Sequence, residues 1–271
     1  MSISFVERKK TIMELLDREE KVKVPELAEL LHVSGETIRR DLDRLEKEGM
    51  LRKVYGGAVK EKFHSTELPF EQKTTINERE KRAICQTAAE LVEDGDIIMI
   101  GHGTTTMEMV YFLADKQDVT LITPSIPILT TAMDVFPGRV IFIGGEMEKA
   151  QKLTVGPLAE RTLEQLKANK AFIAAGGLSK ASGITDYDLN GASISRKMME
   201  RSDEVILLAD HTKFGKSTFA YINPLTEAAM IVTNQPCSET WEKLLTEHEV
   251  GLVIAEHAKK EFFAKSELME K

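Results

Sequence analysis

The sequence predicts a two-domain protein of the α/β class, and three observations carry that expectation. Its 271 residues exceed what one small domain usually needs. Residues 1–60 read as short amphipathic helices closed by a hairpin. From residue 77 onward, short apolar runs alternate with helical stretches, the pattern of a largely parallel sheet flanked by helices.

Composition narrows the class before any element is placed. A chain 42% hydrophobic and 30% charged is ordinary for a globular protein, and no apolar run approaches the roughly 18 residues of a membrane helix. Residues 1–20 carry "ERKK" and "DREE" without a continuous apolar core, so no secretory signal is expected and the cytoplasm is the expected compartment. Cys85 and Cys237 stand in no paired motif, which argues against a disulfide framework or cysteine-bound zinc. The net charge of −8 divides unevenly: residues 1–62 hold 14 Lys+Arg against 13 Asp+Glu, net +1, leaving 22 against 31, net −9. A basic excess is therefore no argument for nucleic acid here; only the placement of basic side chains is.

The elements follow in order. Phe5, Ile12, Leu15 and Leu16 fall near helical spacing and give a first helix from Phe5 to about Leu16. Pro25 suits the start of a second helix, whose buried side is Leu27, Leu30 and Leu31. After the turn "HVS", Ser34 is a good N-cap for a third helix running to about Glu48 and stopped by Gly49. On that helix Ile38, Leu42 and Leu45 share one face while Thr37, Arg40, Arg44 and Lys47 occupy the other. A helix, a turn and a second helix with a basic far face is the geometry that enters a DNA major groove; a solvated amphipathic helix is the alternative. "MLRKVYGGAVK" then alternates apolar and basic residues around Gly56 and Gly57, the mark of a tight hairpin. Such a wing would bring Arg52, Lys53 and Lys60 to phosphates beside the groove.

Arg8, Ile12, Leu16, Ser34, Thr37, Ile38, Arg39, Arg40, Asp41 and Leu42 stand at the spacing R-x3-I-x3-L-x17-S-x2-T-I-R-R-D-L, and "VYGGA" follows them. In these residues the chain resembles the DeoR-type transcriptional regulators, usually repressors of bacterial carbohydrate operons. The resemblance implies a winged helix-turn-helix domain over residues 1–60 with Ser34 to Lys47 as its recognition helix. DNA contacts are then expected from Ser34, Glu36, Thr37, Arg39, Arg40, Arg44 and Lys47, and from Arg52, Lys53 and Tyr55 of the wing. Asp41 is expected to pair with a neighbouring arginine or the backbone, because a carboxylate facing phosphates is unfavourable. Residues 61–76, "EKFHSTELPFEQKTTI", read as a polar linker with a Pro-Phe inside.

Residues 77–271 supply the apolar runs "DIIMIG", "VTLIT", "RVIFIGG", "KAFIAAGG", "EVILLAD", "MIVTN" and "VGLVIA". In open sheets of this kind ligands gather at the carboxyl ends of the strands. Gly101, His102, Gly103, Thr104, Thr105 and Thr106 follow the first run directly and precede the helical "TMEMVYFLA". The glycines admit close backbone approach, the threonines offer hydroxyls and a helix start favours an anion, so a phosphate fits; a plain turn with threonine caps is the alternative. A dinucleotide fits less well, since the third glycine of G-x-G-x-x-G is absent and no acid follows the second strand. "FGKST", Phe214 to Thr218, lacks the first glycine of a triphosphate loop, because that position is Asp210; Lys213 or Lys216 is left as a lone cation for a phosphate. Thr123 and Ser125, Gly144 and Gly145, Gly176 and Gly177, then Gly183, Thr185 and Asp186 stand at further strand ends, where several would also suit tight turns. The six histidines show no metal-binding spacing, so neither metal nor cofactor is expected.

The resemblance extends through "GPLAERTLEQL", "KAFIAAGGLS" and "LADHTKFGKSTFA", which look like the family's sensor domain, similar in fold to ribose-5-phosphate isomerase and Rossmann-like in its mostly parallel sheet. It implies a phosphorylated sugar effector, with phosphate at Gly103 to Thr106, Lys213 near the ligand and Asp186 on sugar hydroxyls. Three positions depart from the family pattern: Asn169 where many members have aspartate, Gly191 near a common glutamate, and Thr123-Pro124 where many read Thr-Asn. They leave the identity of the effector open. An isomerase-like enzyme with an accessory DNA module is the competing reading; Asp186, Asp188, Asp210 and His211 are eligible as acid and base, but spacing singles out no pair. The expectation is a regulator, not an enzyme, with an operator duplex, a phosphorylated sugar and further copies of the chain, as dimer or tetramer, for partners.

Overall fold

The computed structural model describes residues 4–19, 21–47, 51–59 and 67–255, without the side chains of Asp17, Lys47 and Arg52. Two compact units divide the chain, Met1–His64 and Ser65–Lys271.

The first unit runs α1 (Phe5–Glu19), β1 (Lys21–Lys23), α2 (Val24–Leu30), α3 (Gly35–Lys47), β2 (Arg52–Val54) and β3 (Gly57–Val59). Ile12 and Leu16 of α1, Leu27 of α2 and Ile38, Leu42 and Leu45 of α3 form its buried core. Pro25 lies in the first turn of α2, and Ser34 caps α3 by accepting the Thr37 N–H at 3.1 Å. The wing departs from the expected lone hairpin. Its antiparallel sheet has the order β1-β3-β2, so Lys21–Lys23, a strand the helical periodicity gave no reason to expect, covers one edge of it. The turn itself is Tyr55-Gly56, with Gly56 at φ +77°, whereas Gly57 already pairs in β3. A Cβ on Gly57 would stand 2.0 Å from the Val22 carbonyl oxygen, so Gly57 is there for the close approach of β1 and not for a turn. Gly49, the expected helix stop, and Lys60 lie outside the described residues.

The second unit begins with α4 (Phe70–Thr74) and α5 (Glu78–Ala89), then β4 (Ile97–Ile100), α6 (Thr104–Met107) with a 3-10 turn at Glu108–Leu113, β5 (Thr120–Thr123), α7 (Ile126–Val135) and β6 (Arg139–Phe142). It continues with β7 (Glu146–Glu148), β8 (Leu153–Val155), α8 (Pro157–Glu164), β9 (Ala168–Ala174), β10 (Gly177–Ser179), β11 (Gly183–Asp186) and α9 (Leu189–Glu200). It closes with β12 (Ser202–Leu208), β13 (Ala220–Asn223), β14 (Met230–Thr233), α10 (Glu239–Glu247) and β15 (Gly251–Ile254). Seven strands form one sheet in the order β15-β14-β12-β9-β4-β5-β6, with every neighbouring pair parallel. They are the seven apolar runs of the sequence, and the α/β expectation holds.

Those runs are apolar throughout because both sheet faces are covered. Met99, Ala171, Ile173 and Leu207 enter one buried cluster, while Ile98, Ile100, Phe172, Ile206 and Leu208 enter the other. From β4 the chain steps outward through β5 and β6, then returns to β9 and proceeds through β12, β14 and β15. The direction of winding therefore changes between β4 and β9, which opens a crevice at their carboxyl ends. The β7–β8 hairpin and the small antiparallel sheet β10-β11-β13 were not part of the sequence expectation.

The expected linker is shorter than residues 61–76. Phe70 is buried, its N–H donates to the Ala150 carbonyl at 3.2 Å, and residues 70–74 are helical, so this stretch packs into the second unit. Burial of one aromatic ring outweighs the polar composition around it. Residues 61–66 lie outside the described residues.

Candidate functional site

In the first unit, α3 buries Ile38, Asp41, Leu42 and Leu45 and turns Glu36, Arg39, Arg40, Asp43, Arg44 and Glu46 outward. A buried carboxylate needs a partner, and Arg8 of α1 supplies a two-pronged one. Its Nε lies 2.6 Å from Asp41 Oδ2 and its Nη2 lies 3.0 Å from Oδ1. On the outer face Glu36 lies 3.4 Å from Arg39 Nη1 and 3.7 Å from Arg40 Nε, exposed pairings that hold these side chains only weakly. Arg40 remains 80% exposed. Arg44 instead lies over the Phe5 ring, 4.1 Å from its centroid, which occupies part of its guanidinium within the unit. On the wing, the Lys53 N–H donates to Glu46 Oε1 at 2.7 Å and its ammonium pairs with Asp43, tying β2 to α3. Tyr55 stands fully exposed at the turn. The side chains of Lys47 and Arg52 lie outside the described residues.

In the second unit, the turn Gly101–Gly103 leads from the end of β4 into the first residues of α6, Thr104–Thr106, beside the end of β9. The Gly101 N–H donates to the Phe172 carbonyl at 2.9 Å. Gly103 has φ +134°, and a Cβ there would stand 3.0 Å from the Ala174 methyl, so conformation and space both demand glycine. Thr106 Oγ1 lies 2.7 Å from the Gly101 carbonyl and 3.1 Å from that of Gly103, closing the loop on itself. Thr123 Oγ1 donates to the Ile100 carbonyl at 2.8 Å and accepts the Ser125 N–H at 3.1 Å. Thr106 and Thr123 thus hold backbone in place.

Thr104 is different: its Oγ1 accepts from Lys81 Nζ at 2.9 Å. Lys81 comes from α5, is 5% exposed and also donates to the Lys73 carbonyl. The Lys73 ammonium pairs in turn with Glu67 and donates to Gln151 Oε1 at 2.7 Å. His102 Nε2 lies 3.2 Å from Asp186 Oδ2 at the end of β11, and a Cβ on Gly191 of α9 would stand 3.0 Å from that nitrogen. Two polar atoms here, His102 Nδ1 and Ser125 Oγ, are buried without a hydrogen-bond partner among the described residues.

Burial pushes Lys81 down to about 8; Asp210 opposes the shift, while Lys213 and Lys73 reinforce it. Burial also acts to raise Asp210, but the Lys213 cation and the hydrogen bonds from Thr212 outweigh it and hold the carboxyl below its usual range. Glu67 is raised by burial against the pull of Lys73, and it feels Asp186 and His102 as well. A desolvated ammonium beside a glycine-threonine loop, with two further lysines in its field, favours an anion.

Other expected residues have different surroundings. Gly144 and Gly145 are exposed after β6, and a Cβ on Gly145 would meet the Val155 carbonyl at 2.6 Å, so that glycine makes room for β8. Gly176 and Gly177 follow β9, with Tyr187 and Thr218 against the first and the Lys216 carbonyl against the second. Among the described residues no group of His, Cys, Asp and Glu could hold a metal ion.

Comparison with known proteins places this architecture. A model of the DeoR-like helix-turn-helix domain matches residues 8–62, and one of the DeoR C terminal sensor domain matches residues 76–235. The chain belongs to the DeoR family. The HTH-type transcriptional regulator IolR of Bacillus subtilis is 35% identical over 86% of this chain and 93% of its own length. The lactose phosphotransferase system repressor of Staphylococcus aureus is 34% identical over 90% and 98%. The transcriptional repressor AccR of Agrobacterium fabrum is 32% identical over 85% and 90%. A ribose 5-phosphate isomerase from Methanocaldococcus jannaschii aligns with 51% of this chain and 55% of its own at 18% identity and a TM-score of 0.36, too distant to inform the chemistry. The protein is a DNA-binding transcriptional regulator, and its DeoR relatives are regulators, not enzymes. No helix among the described residues is long and apolar enough to cross a membrane.

The candidate site of the DeoR sensor domain contains residues the sequence reading missed. Lys81 is foremost, and a signal for it was present: Ile84, Cys85 and Ala88 stand three, four and seven positions on, all buried on the same face of α5. Lys73 and Glu67 fell inside the expected linker, and Gly191 was noted only as a departure. Of the residues eligible for isomerase chemistry, Asp188 caps α9 by accepting the Gly191 N–H at 2.8 Å and Asp210 caps the turn His211–Lys213. The His211 N–H donates to Asn234 Oδ1 at 2.8 Å and Asp186 Oδ1 accepts the Tyr187 N–H at 2.8 Å, so all four have structural bonds.

Proposed function

We propose that this protein is a cytoplasmic repressor of a carbohydrate-utilisation operon and that a phosphorylated sugar releases it from its operator. The observation that carries the reading is Lys81, a buried ammonium held between Thr104 Oγ1 of the glycine-threonine loop and the Lys73 carbonyl. An effector phosphate at Gly103–Thr106 offers that ammonium a charged acceptor in place of a neutral carbonyl. The carbonyl belongs to α4, and α4 lies in the stretch of chain that leads directly from the first unit. Effector binding then loosens α4 and shifts the population away from the DNA-competent arrangement. The lactose phosphotransferase system repressor among the relatives supports a carbohydrate-linked role.

At the operator, Ser34, Thr37, Arg39 and Arg40 are assigned to the groove, and Lys53 and Tyr55 to the backbone beside it. Reading two half-sites requires at least a dimer, which light scattering checks; a monomer at working concentration contradicts this part of the reading. The deciding experiment is a thermal-shift panel of sugar phosphates and their unphosphorylated counterparts, paired with release of operator DNA. Stabilisation confined to the phosphorylated compounds supports the reading, and equal stabilisation by both sets refutes it.

A further inference from the structure

We propose that His102 is a specificity-determining residue of the effector site, presenting Nδ1 to a hydroxyl group of the ligand. The effector is accordingly a monophosphate that also carries hydroxyl groups, not a bisphosphate or an acid. This inference rests on the phosphate reading of Gly103–Thr106 and adds the chemistry that meets the ligand's hydroxyl groups.

The ring is fixed from one side. Its Nε2 lies 3.2 Å from Asp186 Oδ2, and Asp186 Oδ1 already accepts the Tyr187 N–H at 2.8 Å. A carboxylate only accepts, so Nε2 carries the hydrogen and, in the neutral imidazole, Nδ1 is left as the acceptor. That atom is buried and has no partner among the described residues. An orphaned acceptor in a crevice is a position for a donor that arrives from outside.

The surroundings specify the donor. Asp186 borders the ring, and Glu67 lies near enough to feel both His102 and Asp186. Glu67 is paired with Lys73 and both Asp186 oxygens are bonded, so the open position is Nδ1 itself, an acceptor that matches an O–H group and offers nothing to a carboxylate or a second phosphate, which bring only further acceptors. Lys81, which donates to Thr104 Oγ1 two residues beyond His102 at 2.9 Å, supplies the cation for the phosphate. A ligand with one anionic end and one hydroxyl-bearing end satisfies both.

Gly191 belongs to the same device. A Cβ at this position would stand 3.0 Å from His102 Nε2, 3.3 Å from Cε1 and 3.6 Å from Asp186 Oδ2. Glycine here leaves the imidazole its place against Asp186. If His102 were only a loop staple, its contact with Asp186 would suffice and ligand selectivity would not depend on it.

The test uses the full chain and calorimetric titration with inorganic phosphate, hexose 6-phosphates, hexitol 6-phosphates, pentose 5-phosphates, 6-phosphogluconate and fructose 1,6-bisphosphate. In the wild type, the best hydroxylated monophosphate should bind at least about tenfold more tightly than inorganic phosphate, the bisphosphate or the acid. His102→Ala should lose most of that advantage while its affinity for inorganic phosphate stays within about twofold. Gly191→Ala, which keeps both functional groups but displaces the ring, should move selectivity in the same direction and decides the matter if His102→Ala does not fold. An undiminished monophosphate advantage in the variant that folds, or tightest wild-type binding by the bisphosphate or the acid, overturns the inference alone. Failure of every phosphate compound to bind the wild type overturns the phosphate reading and this inference together.

Discussion

Replacing Lys81 by methionine should stabilise the ligand-free protein while removing its response to phosphate. Methionine keeps an apolar stem in a site that is 5% exposed but removes the charge. A displacement from 10.5 to about 8 disfavours the buried ammonium by roughly 3 kcal/mol at 1.36 kcal/mol per unit, an upper figure because the pocket retains some water. Losing the hydrogen bonds to Thr104 and the Lys73 carbonyl offsets about 1 kcal/mol each. The net gain is about 1 kcal/mol near neutral pH, or about 2–4 °C in Tm for a unit of this size.

The sign of the pH dependence follows from proton counting. Between about 8 and the ordinary 10.5 the unfolded chain binds more protons at this residue than the folded one, so wild-type stability rises with pH across that window. The destabilising contribution of Lys81 is fully present below the folded value and relieved above it. The advantage of Lys81→Met should therefore shrink from about pH 7 to about pH 10, and subtracting the two melting curves removes titrations common to both proteins. Bound phosphate holds the ammonium, so wild-type affinity should fall as pH rises through about 8. Thermal melts of both full-length proteins, with and without inorganic phosphate, measure all of this. A variant less stable than wild type by an amount independent of pH refutes the reasoning and makes Lys81 an ordinary structural cation.

Arg40→Ala should weaken operator binding by about 1–3 kcal/mol and relax sequence preference, whereas Lys53→Ala should weaken binding alike on specific and random duplexes; fluorescence anisotropy on both separates them. Asp41→Ala removes the carboxylate that accepts two bonds from the nearly buried Arg8 guanidinium and should lower the stability of the first unit by about 3 kcal/mol, read as an earlier melting step by circular dichroism. Gly57→Ala places a methyl 2.0 Å from the Val22 carbonyl oxygen and should abolish operator binding through loss of β1 from the sheet. Gly56→Asn, at φ +77° with open space around it, should bind normally, since asparagine tolerates that conformation.

What was legible in the sequence is what local periodicity encodes. The seven strands of the parallel sheet announced themselves because both faces are buried, and α3 did so because Ile38, Leu42 and Leu45 alternate with arginines at helical spacing. The Gly101–Thr106 loop could be placed because it follows a strand and precedes a helical stretch. Strands β1, β7, β8 and β10 are three residues long, too short for periodicity to register, and they exist through pairing with distant partners. Lys81 was hidden for another reason. A lysine on a helix is usually solvated, and only the buried company of Ile84, Cys85 and Ala88 distinguishes it.

The energetics also constrain how such a site can act on DNA binding. Moving a two-state equilibrium from 1:99 to 99:1 requires about 5.5 kcal/mol of differential affinity. One ammonium that exchanges a carbonyl for a phosphate contributes roughly 1–2 kcal/mol, the difference between a neutral and a charge-assisted hydrogen bond. Lys81 alone is therefore insufficient. The chain of bonds around it extends the reach: Lys73 offers its carbonyl to Lys81 and its ammonium to Glu67 and Gln151, so displacing α4 disturbs several bonds at once. Glu67 and Lys73 precede and belong to the first helix of the second unit, whereas Gln151 sits between β7 and β8. On the proposed mechanism the coupling would rest on this cluster as a set, and its strength would depend on how many of its bonds the ligand-bound arrangement replaces.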